Sequence, residues 1–384
     1  MDFSLTEEEQ EVLDLIKQVS DEQLAPKFAE IDESGEFSRE NFSLLGEIGI
    51  LGTLISEKYG GTNLGFLTYA MCVEEISRGD FNTGLTLSVH AMTAGTIEKF
   101  GTAAQKEKYL PGAVSGDMLL AFALSEPDYG SDAAGLKCHA RKVDDGYVLN
   151  GTKAWITNAN VADAFVLWAT FDSSLGKRGI TTFLIDKDTK GFDIGKKEPK
   201  MGGTGTATCQ INLTDCFLPE ECLLGDEGRG LRCALNSLSG GRIGIAANAT
   251  GVSQRALTES LAYSKDRIQF GVPISEFQGI QWKFADMATL VDASRLMYQR
   301  AAFLKQDAGS DISKDPIKEA SEAKLFATDS GMKVCSEAVQ IMGGYGYSRE
   351  YPVERLFRYI KVTQIFEGTN EIQRNLIARE LLKD

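Results

Sequence analysis

Histidine is nearly missing: only His90 and His139 occur in 384 residues, far apart and without a ligand-spaced partner. That argues against a histidine metal site and against a nucleophile–histidine pair. The seven cysteines (Cys72, Cys138, Cys209, Cys216, Cys222, Cys233, Cys335) are odd in number and lack Cys-x-x-Cys spacing. Reduced, mostly buried thiols in a reducing, cytoplasmic-type compartment fit better than disulfides or zinc. No cluster of Lys and Arg offsets the formal net charge of −15, which argues against a nucleic-acid surface. Gly-x-Gly-x-x-Gly and Gly-Lys-Ser/Thr are both missing, so neither a nicotinamide-type nor a P-loop nucleotide fold is expected. No apolar run would cross a bilayer, and the acidic, amphipathic start Met1-Asp2-Phe3-Ser4-Leu5-Thr6-Glu7 is unlike a signal peptide.

The chain is long enough for two or three domains. From Leu5 to about Tyr109 the apolar spacing is helical, as in Val12, Leu13, Leu15, Ile16 and Val19, broken by the turn Glu57-Lys58-Tyr59-Gly60-Gly61. After Pro111 the pattern becomes strand-like, and Asn150-Gly151, between Gly146–Leu149 and Thr152–Ile156, predicts a hairpin turn. Phe165–Ala169, Ile180–Ile185 and Cys209–Leu213 continue the strands. Helical stretches return over Leu231–Lys305 and Pro316–Met342. The expected α+β architecture is a helical domain over 1–117, a β-barrel-like middle domain over 118–228 and a four-helix-bundle domain over 229–384.

Glu367 stands between Ile365-Phe366 and Gly368-Thr369-Asn370-Glu371, at the entry of an amphipathic helix. Asn370 with Gln373 reads as an N-cap pair, which places the glutamate in the preceding loop among apolar neighbours. Desolvation there would raise its pKa and make it a better base, although the segment alone suits an ordinary loop glutamate equally well.

Six segments in order are more specific: Leu124-Ser125-Glu126-Pro127-Asp128-Tyr129-Gly130-Ser131-Asp132, Trp155-Ile156-Thr157-Asn158, Gly241-Arg242-Ile243-Gly244, Arg267-Ile268-Gln269-Phe270-Gly271, Gln340-Ile341-Met342-Gly343-Gly344-Tyr345-Gly346 and Glu367-Gly368-Thr369-Asn370. Together they resemble the acyl-CoA dehydrogenase family over nearly the whole chain, most closely its short-chain and short branched-chain members. The resemblance implies α,β-dehydrogenation of an acyl-CoA, with Glu367 as the α-proton base and FAD as hydride acceptor. It implies electron-transfer flavoprotein as the electron acceptor and a homotetramer built as a dimer of dimers.

For the cofactor, the resemblance implies contacts from Phe122, Leu124, Ser125, Ser131, Trp155, Ile156, Thr157, Thr369 and Asn370. Arg267, Gln278, Gln340, Gly343 and Gly344 are implied to reach the FAD of a neighbouring subunit, an arginine fork suiting a diphosphate. Substrate contacts are implied for Ser131, Ser239, Arg242, Tyr345 and Gly368. Without the resemblance, Trp155 reads better as a core residue and Arg267 as a surface charge. Some branches of the family place the base at the position of Gly241, which leaves Glu367 alone here. Short-chain members often carry aspartate where this chain has Ser239, so its contacts with CoA need another explanation. An acyl-CoA oxidase-like enzyme and a catalytically silent acyl-CoA-binding homologue are the rival readings.

Overall fold

In a computed structural model, residues 5–309 and 311–383 are described; the first four residues of the acidic N-terminal segment lie outside them. Six helices come first: α1 (Glu7–Val19), α2 (Phe28–Ser34), α3 (Arg39–Glu47), α4 (Gly65–Gly79), α5 (Phe81–Phe100) and α6 (Ala103–Ser115). Thr6 and Glu9 form a reciprocal capping box at α1, and the helix buries Leu13, Ile16 and Val19 as one stripe. By contrast, α5 is buried on nearly every side and has little amphipathic character. It is a central helix, capped by the Asp80 carboxylate on the backbone N–H groups of Asn82 and Thr83.

The middle of the chain forms one mixed sheet from β1 (Leu120–Ala123), β2 (His139–Val143), β3 (Gly146–Ile156), β4 (Ala164–Thr170), β5 (Ile180–Asp186), β6 (Phe192–Lys197), β7 (Cys209–Pro219) and β8 (Leu223–Leu224). Its order is β6-β7-β3-β2-β4-β5-β8, with β1 parallel to β4. All of β4 is buried, and the Trp168 indole donates to the Gly230 carbonyl at 2.8 Å, tying the sheet to the helices that follow.

Asn150-Gly151 is not the hairpin turn its sequence predicts. The chain runs straight through it as β3, with a change of register against β7 between Leu149 and Gly151. The turn lies earlier, at Asp144-Asp145 between β2 and β3. Asn150 donates to the Asp215 carboxylate and accepts from the Asp215 N–H across the strands, which secures the irregularity, so tertiary pairing overrides the local turn signal.

The helical stretch expected over Leu231–Lys305 is also divided. α7 (Gly230–Asp266) ends before a two-stranded ribbon, β9 (Ile268–Gln269) and β10 (Val272–Pro273), and α8 (Gln278–Ala308) begins after it. Phe270 and Gly271 turn the ribbon at positive φ, and Pro273 lacks the N–H a helix interior needs. The remaining helices are α9 (Ile317–Met342), α10 (Pro352–Thr363) and α11 (Asn370–Leu381). Between Ser239 and Ser253 every residue of α7 is buried. This stretch consists mainly of Gly, Ala, Ser and other small residues, which permits close approach of its neighbours.

Candidate active site

Glu367 lies in the six-residue link between α10 and α11 and adopts φ +52°, followed by Gly368 at +89°. Left-handed backbone is unusual for a glutamate and needs surrounding contacts to hold it. The Gln373 amide supplies two, donating to the carbonyls of Glu367 at 3.2 Å and Gly368 at 2.7 Å. Lys324 of α9 donates to the Gly368 carbonyl at 3.0 Å and to Asn370 Oδ1 at 2.9 Å.

The N-cap of α11 is Thr369, whose hydroxyl accepts from the Ile372 N–H; the expected Asn370 cap is displaced by one residue. Asn370 is buried instead and joins Lys324, Thr328 and Asp329. A side chain engaged on α9 in this way could not also cap the helix.

The Glu367 residue is only half-buried, yet both carboxylate oxygens are shielded from solvent and have no hydrogen-bond partner among the described residues. Burial pushes its pKa up to about 7, against the attraction of the Arg242 and Lys324 charges. Its own N–H likewise donates to no acceptor among the described residues. A desolvated carboxylate and a free backbone donor therefore share one residue.

Gly241 of α7 explains how the carboxylate fits. A Cβ there would stand 2.1 Å from Glu367 Oε2 and 2.6 Å from Met92 Sδ. One turn later, a Cβ at Gly244 would meet Ser88 Oγ at 2.3 Å and the Tyr69 hydroxyl at 2.9 Å. Next to this glycine face, a cavity of about 240 Å³ is lined by Phe66, Tyr69, Met92, Thr96, Asn236 and Gly240 among others. Arg242 is 4 % exposed, with Nε unpartnered; burial lowers its pKa and the Glu367 charge opposes that.

Ser239 is buried and donates to Asp315 Oδ1 at 2.7 Å. Asp315, in the connection between α8 and α9, also accepts from Asn236 at 2.9 Å and Lys305 at 2.7 Å. A carboxylate thus reaches the neighbourhood of position 239 from another element. Sequence reading missed Asp315, and nothing local marks it.

Trp155 is 62 % exposed, not a core residue. It occupies an irregularity of β3 between Lys153 and Ile156 at φ +61°, which turns its side chain out of the strand alternation. Ile156 is buried and Thr157 half-buried beside it. The adjoining segment is fixed by a buried ion pair that sequence reading missed: Lys153 Nζ meets Glu126 Oε1 at 2.8 Å and the Leu124 carbonyl at 3.1 Å. The Glu126 carboxylate also accepts from the N–H groups of Lys137 and Cys138. Ser125 accepts from the Ala154 N–H at 2.9 Å, while Leu124 is buried and Ser131 exposed. Phe122 packs on Trp168, with ring centroids 4.3 Å apart.

Arg267, Gly343, Gly344 and Tyr345 come together in a second cleft, of about 550 Å³, with Tyr263 and Ile274. The Arg267 guanidinium stands 5.5 Å from the Tyr345 ring centroid. Tyr345 is therefore grouped with Arg267, not with the residues around Glu367. Gly343 and Gly344 are exposed, and a Cβ on either would meet nothing within 4 Å, so their backbone is open to a ligand. Gln278 and Gln340 are exposed.

His90 is structural: its ring bonds the Ala113 carbonyl at 3.0 Å and accepts from the Leu120 N–H at 3.2 Å. Among the described residues no group of His, Cys, Asp and Glu could hold a metal, and no helix is long and apolar enough to cross a membrane.

Sequence models of the acyl-CoA dehydrogenase N-terminal, middle and C-terminal domains match residues 6–117, 121–216 and 228–382. A short-chain specific acyl-CoA dehydrogenase of Megasphaera elsdenii is 44 % identical, with both chains covered in full. The solved butyryl-CoA dehydrogenase of the same organism superposes with a TM-score of 0.96 at 43 % identity, again over 100 % of each chain. A chain from a structure described as the electron transferring flavoprotein of Acidaminococcus fermentans gives 0.96 at 44 % identity, with full coverage of both. With three domain models matched in order and such relatives aligned end to end, the chain belongs to the acyl-CoA dehydrogenase family.

Proposed function

We propose that the protein oxidises a short-chain acyl-CoA, linear, branched or alicyclic, to its trans-2-enoyl-CoA in fatty-acid metabolism, with FAD as cofactor. The observation that carries this reading is the Glu367 carboxylate, desolvated, unpartnered and facing Gly241. An acyl thioester's α-hydrogen is weakly acidic, so its removal needs a base and stabilisation of the enolate-like charge. Glu367 takes the α-proton, and its own N–H donates to the thioester oxygen. Bound FAD supplies acceptance of the β-hydride. The Trp155 indole and the hydroxyls of Ser131 and Thr157 are the groups of the β-domain that would hold the flavin ring. Arg242 supplies buried positive charge on the base side.

Arg267 and the open backbone of Gly343-Gly344 would hold the diphosphate side of an FAD belonging to a neighbouring subunit. Exposed apolar surface supports assembly: Phe270 is 94 % exposed and Trp282 62 %. The assembly we propose is a homotetramer. The short-chain assignment rests on the Megasphaera relatives, and electron-transfer flavoprotein as acceptor on the Acidaminococcus structure. The unpaired cysteines support a cytoplasmic setting.

The test is anaerobic addition of butyryl-CoA to FAD-loaded protein. Flavin absorbance should bleach, and should do so more slowly as the acyl chain lengthens. Failure of every short thioester to bleach a correctly bound flavin would refute the reading.

A further inference from the structure

Lys324 is an anomaly of α9. It has no solvent exposure and sits on the helix's buried face with Ala320, Ala323 and Ala327. Burying an ammonium is costly unless it gains both hydrogen bonds and an opposite charge. Its hydrogen-bond acceptors here, the Gly368 carbonyl and Asn370 Oδ1, are both neutral. The nearby anion with no partner of its own is Glu367, the residue before Gly368. The lysine therefore grips the peptide that follows the base without occupying the carboxylate.

That arrangement leaves both Glu367 oxygens free while restraining a link that runs through two successive positive φ angles. We propose that Lys324 is a positioning residue for Glu367: its ammonium pins the Gly368 carbonyl and the Asn370 side chain, and its charge favours the ionised base. This rests on the reading of Glu367 as the proton acceptor.

The charged surroundings are few. Arg242 faces Glu367 from α7, Lys324 from α9, and the Tyr69 phenol from α4 feels its charge. Asp329 of α9 and Glu371 of α11 act on Lys324 in turn. Burial brings the Lys324 pKa down to about 7, opposed by the Glu367 charge. By reciprocity, removing the ammonium makes Glu367 harder to ionise.

Two variants separate positioning from charge. Lys324→Met removes both the donor and the charge; Lys324→Gln keeps a donor for the carbonyl but no charge. Each is compared with wild type as FAD-loaded protein in two assays. One is the pH profile of kcat with butyryl-CoA. The other is solvent exchange of the α-hydrogens of acetyl-CoA in D2O, a thioester with no β-carbon to oxidise.

For Lys324→Met we expect at least a tenfold loss of exchange at pH 7 and an acid limb of kcat displaced upward by about one pH unit. Lys324→Gln should regain part of the rate at high pH while keeping the displaced limb. An unmoved limb in a flavin-loaded variant would overturn the proposal, even with activity reduced, because a purely structural lysine lowers rate without moving the titration. If Lys324→Met does not fold, Lys324→Gln is judged by the same criterion. Wild-type protein that neither exchanges nor turns over would instead refute the assignment of the base.

Discussion

Replacing Glu367 by Gln should abolish turnover and stabilise the protein, and the stabilisation should depend on pH in one direction. The carboxyl has a pKa of about 7 when folded, against 4.5 for an unperturbed glutamate. The folded state thus binds the proton more tightly than the unfolded chain, and ionisation opposes folding. This penalty is essentially absent below about pH 4.5, grows through the interval and is complete above about pH 7. The gap, at about 1.4 kcal/mol per pH unit, corresponds to about 3 kcal/mol. Glutamine escapes it, so the variant's advantage over wild type should widen by that amount between pH 4.5 and pH 8. For a chain of this length, about 3 kcal/mol is a change in relative Tm of about 4 °C.

Differential scanning calorimetry of both proteins at matched FAD loading measures this widening, and the bleaching assay measures turnover. Loss of a general base should slow the reaction by on the order of 10²–10⁴-fold, with the flavin retained. A stability difference that stays constant with pH, or widens toward acid, would refute the buried-carboxylate argument. Near-normal turnover would refute the catalytic one.

Gly241→Ala should cut kcat by on the order of 10²-fold with little effect on the flavin spectrum, because the added Cβ would stand 2.1 Å from Glu367 Oε2. Trp155→Ala should change the thermal stability of flavin-free protein by no more than about 0.5 kcal/mol, since the indole is largely exposed. Its FAD affinity and flavin fluorescence should nevertheless change; an unaltered flavin would detach Trp155 from the site. Arg267→Glu should weaken FAD retention and shift light scattering toward smaller species after flavin loss; a wild-type monomer retaining FAD and activity on dilution would contradict the shared site. Across a series of CoA thioesters, kcat/KM should be highest for short acyl groups, and a maximum at twelve or more carbons would contradict the substrate class.

The order helices, sheet, helices was legible because it is carried by periodicity over long segments, as in Leu13, Ile16 and Val19 of α1 and the buried run of β4. What failed were local signals set against tertiary pairing. Asn150-Gly151 is a strong turn dipeptide, but β7 pairs on both sides of it and holds the strand extended. Asn370 is a good cap by composition, but Lys324, Thr328 and Asp329 recruit it inward, leaving the cap to Thr369. In both cases the side chain or backbone finds partners distant in sequence.

The site divides along the same line. The residues proposed to meet a ligand were named through the family resemblance: Trp155 stands exposed beside a strand irregularity, and Glu367 lies in a loop among apolar neighbours. Residues that hold those in place were not. Lys153 and Glu126 are 27 positions apart, Lys324 and Gly368 44, Ser239 and Asp315 76. The first two pairings put a lysine where hydrophobic pattern alone would place a neutral residue, and no local spacing records the partner in any of the three. A buried charge survives only if the fold brings compensation to it. On α9, Lys324 among Ala320, Ala323 and Ala327 therefore requires something polar to meet that face. The structure shows it to be the loop that carries Glu367.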